Sequence, residues 1–268
     1  MESEAILFAF LLTLFAGLST GIGSIIAFLF KKVNPKFLSA ALGFSAGVMI
    51  YVSLIEIFSK AKEALIQDLG PEKGYWYTTI AFFMGIAIIA LIDKLIPEPE
   101  NPHHAVSVED MHDPDINKND LMRMGLFSAL AITIHNFPEG IATFVSSLHD
   151  PTLGISIAIA IAIHNIPEGI AVSVPIYYAT KDRKKALLYS FASGLSEPLG
   201  ALTGYIIFGS YFNGVILGLL FATVAGIMVF ISLDELLPTA QKYGEHHIAI
   251  YGLITGMMIM AISLLLTS

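Results

Sequence analysis

The sequence contains no cysteine. Disulfides and thiolate metal ligands are therefore excluded, and a metal held by this chain must be held mainly by nitrogen and oxygen. Charge is scarce too. Only 13% of the 268 residues are charged, where a soluble domain carries about 25%. The net charge of −8 leaves no basic footprint, which argues against nucleic acid as a partner. No Walker-type phosphate loop is present, so ATP is not implied. The helical His-Glu-x-x-His that an intramembrane metalloprotease needs is also missing. The opening Met1-Glu2-Ser3-Glu4 lacks the basic n-region of a signal peptide, so the first apolar run is expected to be retained. The short alternating segments of a β-barrel are absent.

What is present is apolar: 55% of residues are hydrophobic and the mean hydropathy is +0.74. The long runs predict an all-α polytopic membrane protein, a single domain over 1–268. Eight transmembrane helices are expected at about 5–30, 37–59, 75–96, 122–147, 152–179, 186–208, 213–238 and 247–267. Lys and Arg concentrate on one set of loops (Lys31, Lys32, Lys36, Lys94, Lys118, Arg123, Lys181, Arg183, Lys184, Lys185 and Lys242). Lys60, Lys62 and Lys73 lie on the other. By the positive-inside rule both termini are outside. Residues 97–121 form the only long polar connection, a cytoplasmic loop with His103, His104 and His112. It reads equally as a weak metal-collecting loop and as a solvated linker.

One hexapeptide occurs twice, as His135-Asn136-Phe137-Pro138-Glu139-Gly140 and as His164-Asn165-Ile166-Pro167-Glu168-Gly169. Within each copy the His and the Glu are four apart and share a helix face. A short turn near Asp150-Pro151 pairs the two helices antiparallel, so the two imidazoles and two carboxylates meet at one depth. Glu139, Glu168 and Glu197 would together cost about 7–10 kcal/mol at mid-membrane if unpaired. No Lys or Arg in a span interior neutralises them. Either a divalent cation or protons would do so, and a purely structural polar network is the weaker account. Imidazole with carboxylate suits Zn²⁺, and also Fe²⁺, Mn²⁺, Co²⁺ or Ni²⁺; it suits Mg²⁺ and Ca²⁺ poorly.

Pro138 and Pro167 free the carbonyls of Ile134 and Ile163. Asn136 and Asn165 point about 100° away from the neighbouring His on a helical wheel and are candidates for a second, weaker position that Glu197 would complete. Met49 offers a thioether, although Met in a helix is more often core. Glu56 and Glu235, with Asp234, are candidate entry and exit carboxylates.

The chain also repeats itself. Ala46-Gly47-Val48-Met49 to Glu56 matches Ala225-Gly226-Ile227-Met228 to Glu235, and Gly17-Leu18-Ser19-Thr20 matches Gly194-Leu195-Ser196-Glu197 more weakly. The matched spans run in opposite directions, which gives a 3+2+3 inverted repeat, a mark of secondary transporters. Glycines four apart, such as Gly43/Gly47 and Gly252/Gly256, fit close helix contacts.

With these residues in view, the chain resembles the ZIP family of divalent-metal transporters, in particular its microbial zinc-uptake branch. The doubled His-Asn-x-Pro-Glu-Gly carries the resemblance, which extends over all eight spans. It implies a binuclear site. His135, Glu139, His164 and Glu168 would surround one metal with Met49 nearby, and Asn136, Asn165 and Glu197 would hold the other, bridged by the two motif glutamates. Some relatives carry Gln-Asp where this chain has His164-Asn165, so the second position here has one acid fewer. The resemblance implies inward movement of Zn²⁺, with Fe²⁺, Mn²⁺, Co²⁺ or Cd²⁺ also candidates, by alternating access in the plasma membrane, often as a homodimer. The lipid bilayer is the expected surrounding, and no enzymatic activity is expected. A membrane protein that senses or binds metal without flux, and a proton-coupled exporter, are the alternatives.

Overall fold

The computed structural model describes residues 2–29, 34–95, 118–208, 213–244 and 246–267. His103, His104 and His112 lie outside them. The described residues are helical apart from short connections and include no strand. In chain order the helices are α1 (Glu2–Leu29), α2 (Pro35–Tyr51), α3 (Phe58–Leu69), α4 (Pro71–Leu95), α5 (Lys118–His149), α6 (Pro151–Thr180), α7 (Arg183–Gly194), α8 (Ser196–Phe208), α9 (Gly214–Ile231), α10 (Leu237–Tyr243) and α11 (His246–Thr267).

Local chemistry sets the boundaries. Asn34, Asp150, Asp182 and Asn213 cap α2, α6, α7 and α9, each accepting from backbone N–H groups of the first turn. Pro35 and Pro151 occupy the first helical turn, where a missing N–H costs nothing. At the other ends, α3 stops at Gly70 (φ 83°) and α6 stops at Lys181 (φ 57°).

Among the described residues, six helical stretches are long and apolar enough to cross a membrane: Ser3–Leu29, Pro35–Leu69, Pro71–Lys94, Pro151–Thr180, Gly214–Lys242 and His246–Leu266. The stretches α5 and α7–α8 are comparably long. They carry polar residues in their interiors (His135, Asn136, Glu139 and Glu197) and cations at their starts (Lys118 and Arg183). The second rod runs past residue 59 to Leu69. Its extension is amphipathic, with Ala61 and Leu65 buried and Lys60, Glu63 and Asp68 left towards the surface side.

Two rods contain a π-helical turn. Val52–Ile57 joins α2 to α3, and Ser232–Leu236 joins α9 to α10. Glu56 lies in the first and Glu235 in the second, so the residues matched in the sequence share the same backbone irregularity. Single π-turns of this kind recur at functional sites.

The helices pack as two bundles. The first holds α1, α5, α6, α7 and α8; the second holds α2, α3, α4, α9, α10 and α11. They meet where α2 lies against α6 and α5 against α9. In the second bundle, Gly47 sits on the carbonyl of Leu253 and Gly226 on the carbonyl of Phe82, so close that a Cβ at either place would overlap the oxygen. Backbones reach this distance only over small residues.

Candidate metal site

The two hexapeptides face each other in the first bundle, one on α5 and one on α6. Their glycines set the spacing to the outer helices. A Cβ at Gly140 would collide with the carbonyl of Glu197 on α8, and one at Gly169 with the carbonyl of Thr20 on α1. Thr20 and Glu197 are sequence-matched positions, so the two contacts are counterparts. Hydroxyls tie the same crossing together. Ser24 donates to the Gly169 carbonyl at 3.0 Å, and Ser190 to the Thr20 carbonyl at 3.0 Å.

The ionisable side chains then pair across the α5–α6 contact. Nε2 of His135 lies 3.2 Å from Oε2 of Glu168, and Nε2 of His164 lies 3.3 Å from Oε2 of Glu139. Each His thus meets the Glu of the other copy rather than its own, as an antiparallel crossing at the motif dictates. All four side chains are fully buried. Among the described residues no three His, Asp or Glu side chains converge on a common point at ligation distance. The four are arranged as two hydrogen-bonded pairs.

Around the pairs lies a set of buried polar atoms without a hydrogen-bond partner: Nδ1 of both histidines, Oε1 of Glu139 and Glu168, both amide atoms of Asn136, Oδ1 of Asn165 and Oε2 of Glu197. Asn165 donates to Oε1 of Glu197 and, at 3.0 Å, to the carbonyl of Ala16. Glu197 is thereby brought to the second motif from α8. Buried polar atoms are normally satisfied. So many orphan acceptors in one place suit a cation, and the donor set, nitrogen and oxygen without thiolate, suits a borderline divalent metal.

The remaining sequence candidates fall around this centre. Met49 is buried in α2 within the main apolar core. Near it on the same helix, Ser45 donates to the carbonyl of His164 at 3.2 Å, so α2 abuts the site. Asp234 and Glu235 line a small cavity between the bundles, about 30 Å³, together with His135 and Asp93. That is room for a single water or ion. Glu56 lines a larger cavity of about 480 Å³ with Lys60, Asp150, Thr152 and Ser156, which none of the four central residues reaches.

Asp93, Ser24, Ser45 and Ser190 did not emerge from the sequence. Asp93 lies beside Lys94 near the end of an expected span, and the serines carry no periodic signal.

A family model described as ZIP Zinc transporter matches residues 94–264. The chain is 66% identical over 265 residues to the Zinc transporter ZupT of Chlorobaculum parvum, covering 98% of this chain and 99% of that protein. It is 64% identical to the protein of the same name from Clostridium perfringens, over 97% and 96% of the two chains. With the Streptococcus mutans relative, also a Zinc transporter ZupT, it shares 60% identity over 98% and 99%.

Proposed function

This chain belongs to the ZIP family of zinc transporters, and on that premise we propose that it carries Zn²⁺ across the membrane through the paired His–Glu site. It is a multi-pass membrane protein, and the bacterial origin of its relatives points to the plasma membrane. Beyond the six apolar rods, α5 and α7–α8 also cross the bilayer in this reading, because their polar residues face the site rather than lipid. Eight spans in a 3+2+3 inverted arrangement follow, with both termini outside. The matched π-turns, the counterpart glycine contacts at Thr20 and Glu197, and the mirrored contacts of Gly47 and Gly226 support that symmetry.

The observation that carries the functional reading is the pairing itself. Two neutral imidazoles and two carboxylates, buried and facing, form a site whose charge a divalent cation cancels. With the imidazoles neutral, Zn²⁺ takes the Nε2 lone pair of each ring once its proton sits on Nδ1, and the two carboxylates balance the ion with no proton released. His135, Glu139, His164 and Glu168 hold the ion, with Met49 as an auxiliary thioether from α2. Asn136, Asn165 and Glu197, with the free oxygens of Glu139 and Glu168, form a second position. Fe²⁺, Mn²⁺, Co²⁺ and Cd²⁺ satisfy the same donors.

Glu56 lies in the outer cavity and Glu235 and Asp234 in the inner one, at the two ends of the contact between bundles. In this reading they receive and release the ion, and Asp93 joins the inner pair. Alternating access then requires the bundles to shift so that the site meets one cavity at a time. Labile His and Glu ligands, rather than thiolates, let the ion leave.

Zinc flux into proteoliposomes tests this. Saturable uptake by the wild type and its loss in folded Glu139→Ala is the expected result. Tight zinc binding with no flux in the wild type would replace the transporter by a metal-sensing or structural membrane protein.

A further inference from the structure

We propose that the basic end of the first bundle is a docking surface for the headgroups of anionic membrane lipids, with the Arg183 guanidinium as its fixed centre. Between α6 and α7 the chain reads Lys181-Asp182-Arg183-Lys184-Lys185, and all five residues are exposed. Asp182 spends its carboxylate on the backbone N–H groups of Lys184 (2.8 Å) and Lys185 (3.2 Å). The helix N-terminus is closed by its own cap and is not the site. Among the described residues, none of the four cations pairs with a carboxylate.

Aromatic rings from two other helices hold the guanidinium. It lies 5.7 Å from the ring centre of Phe28 on α1 and 5.9 Å from that of Tyr177 on α6. Those two rings meet edge to face at 5.3 Å. Alongside, the Lys181 ammonium sits 4.9 Å over Tyr178. Cation–π contacts at these distances fix a guanidinium by its face and leave its N–H edge for an acceptor. Rings at headgroup depth beside cations are the combination that meets the surface of an anionic leaflet. In the transmembrane reading the α6–α7 connection lies at the bilayer surface, so the chemistry recognised is a phosphodiester on an acyl-bearing lipid.

The surface rests on a small core of Ala129, Ile132, Val172, Ile176 and Ala186, against which Phe28 and Tyr177 also pack. That core joins α1, α5, α6 and α7, all in the bundle that carries the metal site. A lipid bound here holds that bundle, and not the other, to the leaflet. The opposite end of the bundle has His149 and Asp150 at its turn and Glu4 near the start of α1, and a cation beside that turn, Lys60, belongs to the other bundle. The inference relies on the transmembrane reading above and adds a ligand to it.

The test uses the purified full-length chain in phosphatidylcholine bilayers with or without phosphatidylglycerol. Native mass spectrometry reads the retained lipid, and vesicle uptake reads zinc flux. Wild type should retain phosphatidylglycerol and transport faster when it is present. The exposed pair Lys184→Gln/Lys185→Gln should weaken retention about fivefold per cation removed while keeping flux in pure phosphatidylcholine. Arg183→Gln should lose more, and Arg183→Lys should restore only part, because the flat fork is gone. Equal retention by wild type and the double variant would overturn the proposal. So would an equal rise of flux in both, which is what general zinc accumulation at a charged surface produces. Retention needs no transport, so selective lipid binding without flux would strike the transporter reading and leave this one standing.

Discussion

The two bundles are built from helices of similar length, but they bury different chemistry. Every buried ionisable side chain among the described residues (His135, Glu139, His164, Glu168 and Glu197) belongs to the first bundle. The buried polar residues of the second are hydroxyls alone: Ser39, Ser45, Ser53, Thr78 and Ser232. The same small-residue crossings hold both together, as Gly169 on Thr20 and Gly226 on Phe82 illustrate. Packing is therefore common to the two halves, and what distinguishes them is where the cost of buried charge has been placed. A structure that confines that cost to one rigid unit can move the unit without exposing charge to lipid.

The sharpest way to break this contrast is at the ligands. His164→Ala should lower zinc flux by at least about 10–100-fold, the cost already seen when only the outer partners of metal ligands are removed. Asn165→Ala should lower it less, because its amide serves Glu197 and the Ala16 carbonyl. Equal, wild-type rates in both would remove His164 from the ion's path. Next in size are the crossings. Gly169→Ala and Gly226→Ala should each cost about 1–3 kcal/mol in detergent unfolding, but only the first should weaken zinc binding. A matching loss of binding in Gly226→Ala would erase the division of labour between the bundles. The smallest effect is expected from Ser24→Ala, which deletes one hydroxyl tie at the Gly169 carbonyl. A drop of about 0.6 kcal/mol is usual for such bonds, and a destabilisation several times larger would make the polar seam, not the glycines, the main adhesive.

Much of this is legible in the sequence. The four-residue spacing of His135 and Glu139, repeated at His164 and Glu168, fixes a helix face, and the Asp150-Pro151 turn fixes the antiparallel pairing. The exchange of partners, His135 with Glu168 and His164 with Glu139, follows from how two helices cross and not from either helix alone. Glu56 and Glu235 look equivalent in sequence and share a π-turn, yet only Glu235 opens onto a cavity that contains His135. Their inequality comes from the relative placement of the bundles, which no local pattern encodes. Asp93 escaped notice for the same reason: its meaning depends on α5 and α9 lying across from α4.

The hydrogen bond from Ser45 to the His164 carbonyl crosses from the second bundle to the first at the level of the paired His and Glu side chains. Hydroxyl bonds of this kind contribute about 0.6 kcal/mol in a membrane, comparable to thermal energy. It behaves as a detent: enough to favour one register of the two surfaces, too little to lock them. In the proposed transport reading, a helix latched so lightly is sensitive to a single methyl or hydroxyl on α2, at a position outside the His–Glu pairs themselves.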